Sequence, residues 1–279
     1  MDILSAVLFG IIQGAAEFLP VSRSAHLALC HSLLGLITPD CYPGFDVLLH
    51  LGTLAAVFIV YGKDLYGIAK GLFTAPKKLL KNRFRLDALE NSERLAVFAV
   101  VATLPTVAAA LLGMDDLSDT LALYPAAVGA LLIINGVMLI IADLCKKQTV
   151  TAETIKYGHA FGMGLFQGLA TVPGISRSGA TVTGGMLCGI KRQDAVKLSF
   201  IMSVPAILGA CVLKAPELIR ARPDMQTLLV YGAGCAAAAV FGMFAIKLLV
   251  FVSGNSKFRY FSYYCFAIGA YAVFRGLNG

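Results

Sequence analysis

Two copies of a short polar pattern interrupt otherwise apolar parts of the sequence. Gln13 is followed nine residues later by Ser22-Arg23-Ser24, and Gln167 is followed at the same spacing by Ser176-Arg177-Ser178. Glu17 lies inside the first copy. An uncompensated charge within a bilayer is costly, so ionisable residues in apolar segments are candidates for function. Glu17 and the two arginines are therefore the first candidates for a buried polar site.

Gln13 and Glu17 have the spacing and chemistry to bind a divalent cation. Residues four apart share one face of a helix, and both side chains offer the oxygen ligands that a hard cation such as Mg²⁺ takes. Glu17 could instead be neutralised by Arg23 or Arg177 in a structural ion pair. Because burying such a pair rarely improves stability, we favour a functional role.

Each copy of the pattern follows a predicted helix break and begins a new helix. Pro20 ends one helix, and Pro173-Gly174 ends the corresponding one. A serine of each triplet can cap the helix that follows. The candidate caps are Ser22 or Ser24 in the first copy and Ser176 or Ser178 in the second.

Helix starts of this kind are suited to binding phosphate. Their free N–H groups and the positive end of the helix dipole attract anions, and Arg177 adds bidentate donors. Gly174 and Gly179 would let the backbone approach a ligand closely. With Ser178 and Thr181 these residues form the predicted binding set, and two such helix starts facing each other would suit a diphosphate.

The histidines divide into one candidate and several packed side chains. His26 follows the first serine triplet and could act as general acid, base or nucleophile near neutral pH. A single histidine in a helix is usually just packed, which is our interpretation of His31 and His159. Asp46 and His50 are explained equally well by a helix-end cap with a satisfied imidazole and by a role in the cavity, and they are left outside the predicted site.

The elements that carry these residues are predicted to be membrane helices. Of the 279 residues, 58% are hydrophobic and only 14% are charged, well below the charged fraction of soluble domains. The sequence therefore predicts an all-α integral membrane protein with a single membrane domain over residues 1–279. Six apolar stretches are candidate crossings. They are residues 95–114, 121–142, 227–246, 45–62, 198–213 and 260–274.

Two further apolar regions, residues 3–37 and 158–190, are too long for one crossing and contain the breaks. We interpret each as a re-entrant helix pair that lines a cavity, because broken backbone is tolerated at membrane depth only there. Each is followed by three predicted crossings, an odd number. The chain then consists of two inverted-topology repeats, about 1–145 and 155–279, with a site where the breaks meet. The alternative is that both copies of the pattern are only glycine-rich surfaces where helices pack. Packing explains the glycines but not an arginine.

Charge predicts the orientation. The net charge is +7, and residues 63–94 contain eight Lys or Arg residues. Positively charged loops stay in the cytoplasm. A role in setting the orientation explains these basic residues better than nucleic-acid binding does. Residues 115–119 then lie outside, Lys146-Lys147 and Lys257 inside, and the carboxyl terminus outside. The predicted loop 214–224, with Lys214, Arg220 and Arg222, would lie outside, which conflicts with this orientation. Asp2 in place of a basic start argues against a removable signal peptide.

These motifs resemble a known family, the undecaprenyl-diphosphate phosphatases or bacitracin-resistance proteins, over the whole chain. Gln13-Gly-Ala-Ala-Glu17-Phe-Leu-Pro-Val-Ser22 is similar to the family's (E/Q)-x-x-x-E motif and the Pro-Val-Ser after it. Pro173-Gly-Ile-Ser176-Arg177-Ser178-Gly-Ala-Thr181 resembles its P-G-x-S-R-S-x-x-T motif in full. The resemblance implies six crossings, two re-entrant pairs and a site open to the outer side of the bacterial inner membrane.

The resemblance also implies an activity: hydrolysis of undecaprenyl diphosphate with a divalent cation, commonly magnesium. Glu17 matches the family's essential glutamate, His26 its histidine, Arg177 its phosphate-binding arginine and Gln13 the first motif position. One position departs from the pattern. Arg23 replaces the second serine of Pro-Val-Ser-Ser-Ser-Gly-His, often proposed as the nucleophile. Either Ser22, Ser24, Ser176, His26 or a metal-bound water attacks in its place, or catalysis is impaired. A clamp of two arginines on the diphosphate becomes a hypothesis.

Two other functions compete with this interpretation. Inverted repeats with broken helices are characteristic of transporters, so a polyprenyl-phosphate transporter or flippase is the main alternative. A second class of lipid phosphatase resembles K-x6-R-P and S-R-x5-H-x3-D, neither of which occurs here. The expected partners are the lipid substrate and the bilayer. A homo-oligomer is compatible with the sequence, which does not determine the number of copies.

Overall fold

The computed structural model describes residues 1–34, 42, 44–146, 148–254 and 258–278. Within them the chain is helical, with one isolated β-bridge between Val150 and Ile190. The α-helices are α1 (Ile3–Phe18), α2 (Arg23–Leu34), α3 (Phe45–Lys81), α4 (Asn91–Leu111), α5 (Met114–Ala122), α6 (Pro125–Leu144), α7 (Tyr157–Leu169), α8 (Arg177–Leu187), α9 (Arg192–Ala221), α10 (Met225–Gly254) and α11 (Arg259–Asn278). The predicted all-α class is confirmed.

Five of the described helices are long and apolar enough to cross a bilayer, namely α3, α4, α6, α9 and α10. The sixth predicted crossing, residues 260–274, lies within α11, which is not among the five, so the number of crossings stays a prediction. Large apolar side chains such as Phe58, Val100 and Phe244 are exposed on these helices. An apolar surface of this extent fits a multi-pass membrane protein.

Both long apolar regions consist of two helices, as predicted. α1 and α2 are separated by residues 19–22, and α7 and α8 by residues 170–176. The breaks contain Pro20 and Pro173-Gly174, as the sequence indicates. Residues 35–37 of the first region lie outside the described residues.

The first helix of each broken pair packs mainly against one long helix. α1 packs mainly against α10, and α7 packs mainly against α4. Small residues allow both approaches, because a side chain at Gly10 would collide with the Gly234 carbonyl and one at Gly164 with the Ala102 carbonyl. Close contacts between small residues are usual where membrane helices pack. The first helix of each broken pair is thus held by the opposite half of the chain.

Two helices extend beyond their predicted ends. α9 continues to Ala221, so the prediction of a loop beginning at Lys214 is wrong. The helix tolerates this charge because the ammonium of Lys214 pairs with Asp46. α3 continues to Lys81, with a non-helical residue at Tyr61 close to the predicted end of the crossing. Lys147 and Lys257, which contributed to the predicted orientation, lie outside the described residues.

Candidate active site

Asn135 of α6 holds the two breaks together. Its Nδ2 donates to the Pro20 carbonyl at 2.9 Å, and its Oδ1 accepts from the Ser176 N–H at 3.0 Å. The side chain is fully buried. Helix breaks leave backbone groups without helical partners, and a buried unpaired group is costly, so one amide satisfies both breaks at once. The two breaks therefore lie against each other.

The first serine of each triplet caps the helix that follows. Ser22 Oγ accepts from the Ala25 N–H at 3.3 Å, and Ser176 Oγ accepts from the Gly179 N–H at 3.2 Å. Each hydroxyl also lies close to that of the second serine of its triplet, at 3.3 Å in the first copy and 3.1 Å in the second. Arg23 and Arg177 are consequently the first residues of α2 and α8. Both arginines stand at a helix start.

Glu17 connects the two halves through Arg177. Arg177 Nη2 donates to Glu17 Oε1 at 2.5 Å, and Gln13 Nε2 donates to Glu17 Oε2 at 3.1 Å. The pairing of Glu17 with Arg177 was the alternative considered from the sequence, and it is present. It brings Gln13, Glu17 and Arg177 together as the predicted site requires.

Arg23 forms a second ion pair in the same region. Its guanidinium donates to Asp46 Oδ1, and its Nη1 lies 3.4 Å from His50 Nε2. His50 Nδ1 donates to the Asp46 carbonyl at 2.9 Å, which leaves Nε2 as the acceptor. Lys214 Nζ donates to Asp46 Oδ2 at 2.8 Å. Asp46 is thus shared by two cations.

The charges of the site are unequal in number and in depth. The charged cluster consists of five side chains: the three cations Arg23, Arg177 and Lys214, and the two carboxylates Glu17 and Asp46. The carboxylates are 7% and 5% exposed, whereas the side chains of Arg177 and Arg23 are 22% and 19% exposed and that of Lys214 is 43% exposed. The cations therefore lie nearer the surface with the carboxylates behind them. An anion entering from that side meets positive charge first.

A buried amide oxygen at Gln13 lacks a protein partner. The side chain is 1% exposed and its Nε2 faces Glu17, while its Oε1 makes no hydrogen bond to any residue that the structure describes. The described residues contain no cluster of three or more His, Cys, Asp or Glu side chains placed to hold a metal. Mg²⁺, however, is usually held by one or two protein groups together with substrate phosphates and waters. The oxygens of Gln13 and Glu17 fit such a partial ligand set.

The remaining residues of the predicted binding set have partners within the protein. Gly174 has a φ of +114°, which only glycine adopts readily, and a side chain there would collide with Leu131. Gly179 packs against Asn135 and Pro20. Thr181 Oγ1 lies 2.6 Å from Ser199 Oγ and is fully buried. These residues shape the break, and their predicted contact with a ligand stays a prediction.

The hydrogen bonds of His26 are made to Ser22 and Tyr264. Its Nδ1 donates to the Ser22 carbonyl at 2.7 Å, and its Nε2 lies 2.7 Å from the hydroxyl of Tyr264 in α11. The two rings are parallel with centroids 5.6 Å apart. His26 is therefore next to the first serine triplet, as the sequence predicts, but its partner is Tyr264.

Sequence reasoning missed Asn135, Lys214 and Tyr264, and it left out Asp46 and His50. Asn135 had a usable signal, since it is a polar side chain in the middle of an apolar stretch. Asp46 and His50 share a helix face at the start of α3, a spacing that indicates a pair without identifying its partner. Lys214 and Tyr264 had no signal in the sequence alone.

Comparison with known proteins identifies the family of this chain. The family model described as Bacitracin resistance protein BacA matches residues 6–271. The chain belongs to the BacA family. A protein of Rubrobacter xylanophilus named undecaprenyl-diphosphatase is 38% identical to it over 272 residues, which cover 97% of each chain. Proteins of the same name from Desulfosudis oleivorans and Alkaliphilus metalliredigens are 37% and 35% identical, with 100% and 98% of each chain covered.

The BacA relatives cover the whole arrangement, including both breaks and all the helices that carry the charged cluster. The resemblance drawn from the Gln13–Glu17 motif and the motif around Arg177 is thereby confirmed at the level of the family.

Proposed function

We propose that this protein hydrolyses undecaprenyl diphosphate to undecaprenyl phosphate and inorganic phosphate. The observation that carries this proposal is the position of Arg23 and Arg177 at two joined helix breaks within apolar protein, with Lys214 of α9 paired to the same Asp46 as Arg23. A diphosphate on a long apolar chain matches both the charge of this cluster and its surroundings. The reaction returns the lipid carrier to peptidoglycan synthesis and removes the target of bacitracin, which accounts for resistance.

The diphosphate is bound by the two arginines at the helix breaks. Arg177 and Arg23 pair with Glu17 and Asp46 in this structure, and both arginines are more exposed than their partners. Entering phosphate oxygens can accept from the outer faces of the same guanidinium groups and from the N–H groups at the starts of α2 and α8. In phosphoryl transfer, positioning and neutralisation of charge supply most of the catalysis. The two-arginine clamp is the proposed source of both.

Gln13 and Glu17 are the proposed ligands of a divalent cation, with magnesium expected. Support comes from the unpaired Oε1 of Gln13 beside the carboxylate of Glu17. A bound Mg²⁺ would neutralise negative charge that develops on the phosphate oxygens. Glu17 then has two roles, since it also orients Arg177 through their hydrogen bond.

His26 is the proposed proton acceptor. Its Nδ1 is committed to the Ser22 carbonyl, so Nε2 is the nitrogen that can take a proton, and Tyr264 orients it. The attacking group is water or a serine. Ser22 and Ser176 are nearly fully buried and serve as caps, which leaves Ser24 as the more exposed hydroxyl. With water as nucleophile, a new P–O bond forms, the bridging P–O bond breaks, and the water proton passes to His26.

The proposed topology has six crossings and two re-entrant pairs in inverted repeats, about 1–145 and 155–279. The equivalent packing of α1 on α10 and of α7 on α4 supports it. α11 is the sixth crossing, paired with α6 through Gly129 and Gly269, which pack against each other's backbone carbonyls. The protein would reside in the bacterial inner membrane with the charged cluster open to the outer side, opposite the basic end of α3.

Phosphate release from undecaprenyl diphosphate by the purified protein tests the proposal. We expect release that depends on added Mg²⁺ and is abolished by a chelator. Reconstituted vesicles with a labelled polyprenyl phosphate provide the comparison with a transporter. Movement of lipid between leaflets without phosphate release would contradict the proposal and favour the flippase.

A further inference from the structure

A long apolar groove with two parts lies below the charged cluster. The first part, the upper groove, is enclosed by α3, α4 and α9 and has a volume of about 450 Å³. Its lining includes Phe58, Leu65, Val204 and Leu208, and among the described residues Thr103 is the one lining residue that is not apolar. The groove is open on one side, so a chain lying in the membrane can enter it laterally.

The second part, the lower groove, continues the upper groove. It also has a volume of about 450 Å³, lies between α3 and α4, and shares Leu72 and Val100 with the upper groove. On α3 the combined lining extends from Phe58 to Leu80. At the rise of an α-helix this is about 30 Å, roughly the thickness of the hydrocarbon core of a bilayer.

The groove and the charged cluster share two helices, α3 and α9. α3 carries Asp46 and His50 in its first turns and then Phe58 at the top of the groove. α9 carries Lys214, with Leu208 between that residue and the deeper part of the groove. His50 and Phe58 are about 12 Å apart along the helix. A ligand with a charged head at the cluster can therefore place its tail directly in the groove.

We infer that this groove binds the polyprenyl chain of the substrate along α3, from the diphosphate site toward the basic end of that helix. The inference rests on the proposed function. Bilayer acyl chains have similar chemistry, but each occupies one leaflet, about half of the hydrocarbon thickness. A groove that continues through the whole thickness fits a chain much longer than an acyl chain.

Phenylalanine substitutions that fill the groove test the inference. Ala69 and Val100 both line it and are exposed, so a larger side chain at either position enters the groove and leaves the core unchanged. Ala236 on α10 is an exposed alanine that lines neither groove, and Ala236→Phe is the matched control. Each variant is compared on undecaprenyl diphosphate and on farnesyl diphosphate, whose chain is much shorter.

We expect Ala69→Phe and Val100→Phe to lower kcat/KM for undecaprenyl diphosphate roughly tenfold, the scale of discrimination in apolar pockets. Farnesyl diphosphate should be hydrolysed at the control rate, because Ala69 is about 28 Å along α3 from His50 and a short chain ends above it. The inference would be overturned if Ala69→Phe and Val100→Phe have the same kcat/KM as Ala236→Phe on both substrates. It would also be overturned if they lose activity toward both substrates equally. If the unaltered protein releases phosphate from neither substrate, the proposed function fails instead.

Discussion

Replacement of Arg23 by serine removes one arm of the proposed clamp and creates the serine that the family pattern usually has at this position. The change deletes the ion pair with Asp46 and the contact with His50. Asp46 keeps the Lys214 ammonium at 2.8 Å, so it is not left as an unpaired buried charge. The protein should therefore fold, and the loss should fall on ligand binding.

The size of that loss follows from the bonds removed. Hydrogen bonds to charged groups contribute about 1.5–3 kcal/mol each, so losing one arginine contact to the diphosphate weakens affinity by about 10- to 100-fold. Arg23→Lys is the matched control, since it keeps the charge but loses the planar fork, and it should retain an intermediate affinity.

The assay is phosphate release over a range of undecaprenyl diphosphate concentrations, together with equilibrium binding of the lipid to each variant. Arg23→Ser should raise KM and the dissociation constant together. Unchanged turnover with unchanged lipid affinity would refute the clamp and would assign Arg23 to packing around Asp46.

Three further substitutions test other parts of the site. Glu17→Gln should raise the Mg²⁺ concentration for half-maximal phosphate release tenfold or more, since it removes a charged ligand; an unchanged Mg²⁺ dependence would remove Glu17 from the cation site. Asn135→Ala should lower the free energy of unfolding in detergent by about 1–3 kcal/mol, because it leaves the buried Ser176 N–H without this acceptor and the Pro20 carbonyl with only the Cys265 thiol as donor; a variant as stable as the unaltered protein would mean that the breaks do not depend on this amide. Tyr264→Phe should shift the pH profile of kcat and leave KM unchanged, since it deletes the hydrogen bond to His26 Nε2; a coincident profile would contradict the proton role of His26.

The sequence was sufficient to predict features where a residue type does not suit its surroundings, such as a proline in a helical stretch or a charge in an apolar one. Pro20 and Pro173-Gly174 cannot continue a helix, so the residue types alone locate the two breaks. Glu17 and Arg177 are charges inside apolar sequence, and such residues can be assigned to one site because few other locations tolerate them. The folded chain joins these two residues directly.

The parts that the sequence did not predict depend on contacts between distant segments. Lys214 follows an apolar stretch, which resembles the end of a crossing, and only the position of Asp46 on α3 explains why α9 continues through it. Tyr264 is one of several tyrosines in α11, and its distance to His26 selects it. Asn135 could have been noticed as an intramembrane polar residue, but its bridge between the breaks is a property of the folded chain.

The most direct test of the central claim is the rate of phosphate release from undecaprenyl diphosphate by Arg177→Ala, measured beside Arg275→Ala. Arg275 is an exposed arginine near the end of α11, outside the charged cluster, and serves as the control. We predict that Arg177→Ala loses phosphate release by about 100-fold or more, as expected when a preorganised charge on the reacting group is removed, whereas Arg275→Ala keeps it. Equal activity of the two variants would contradict the claim that the two joined breaks form one diphosphate site.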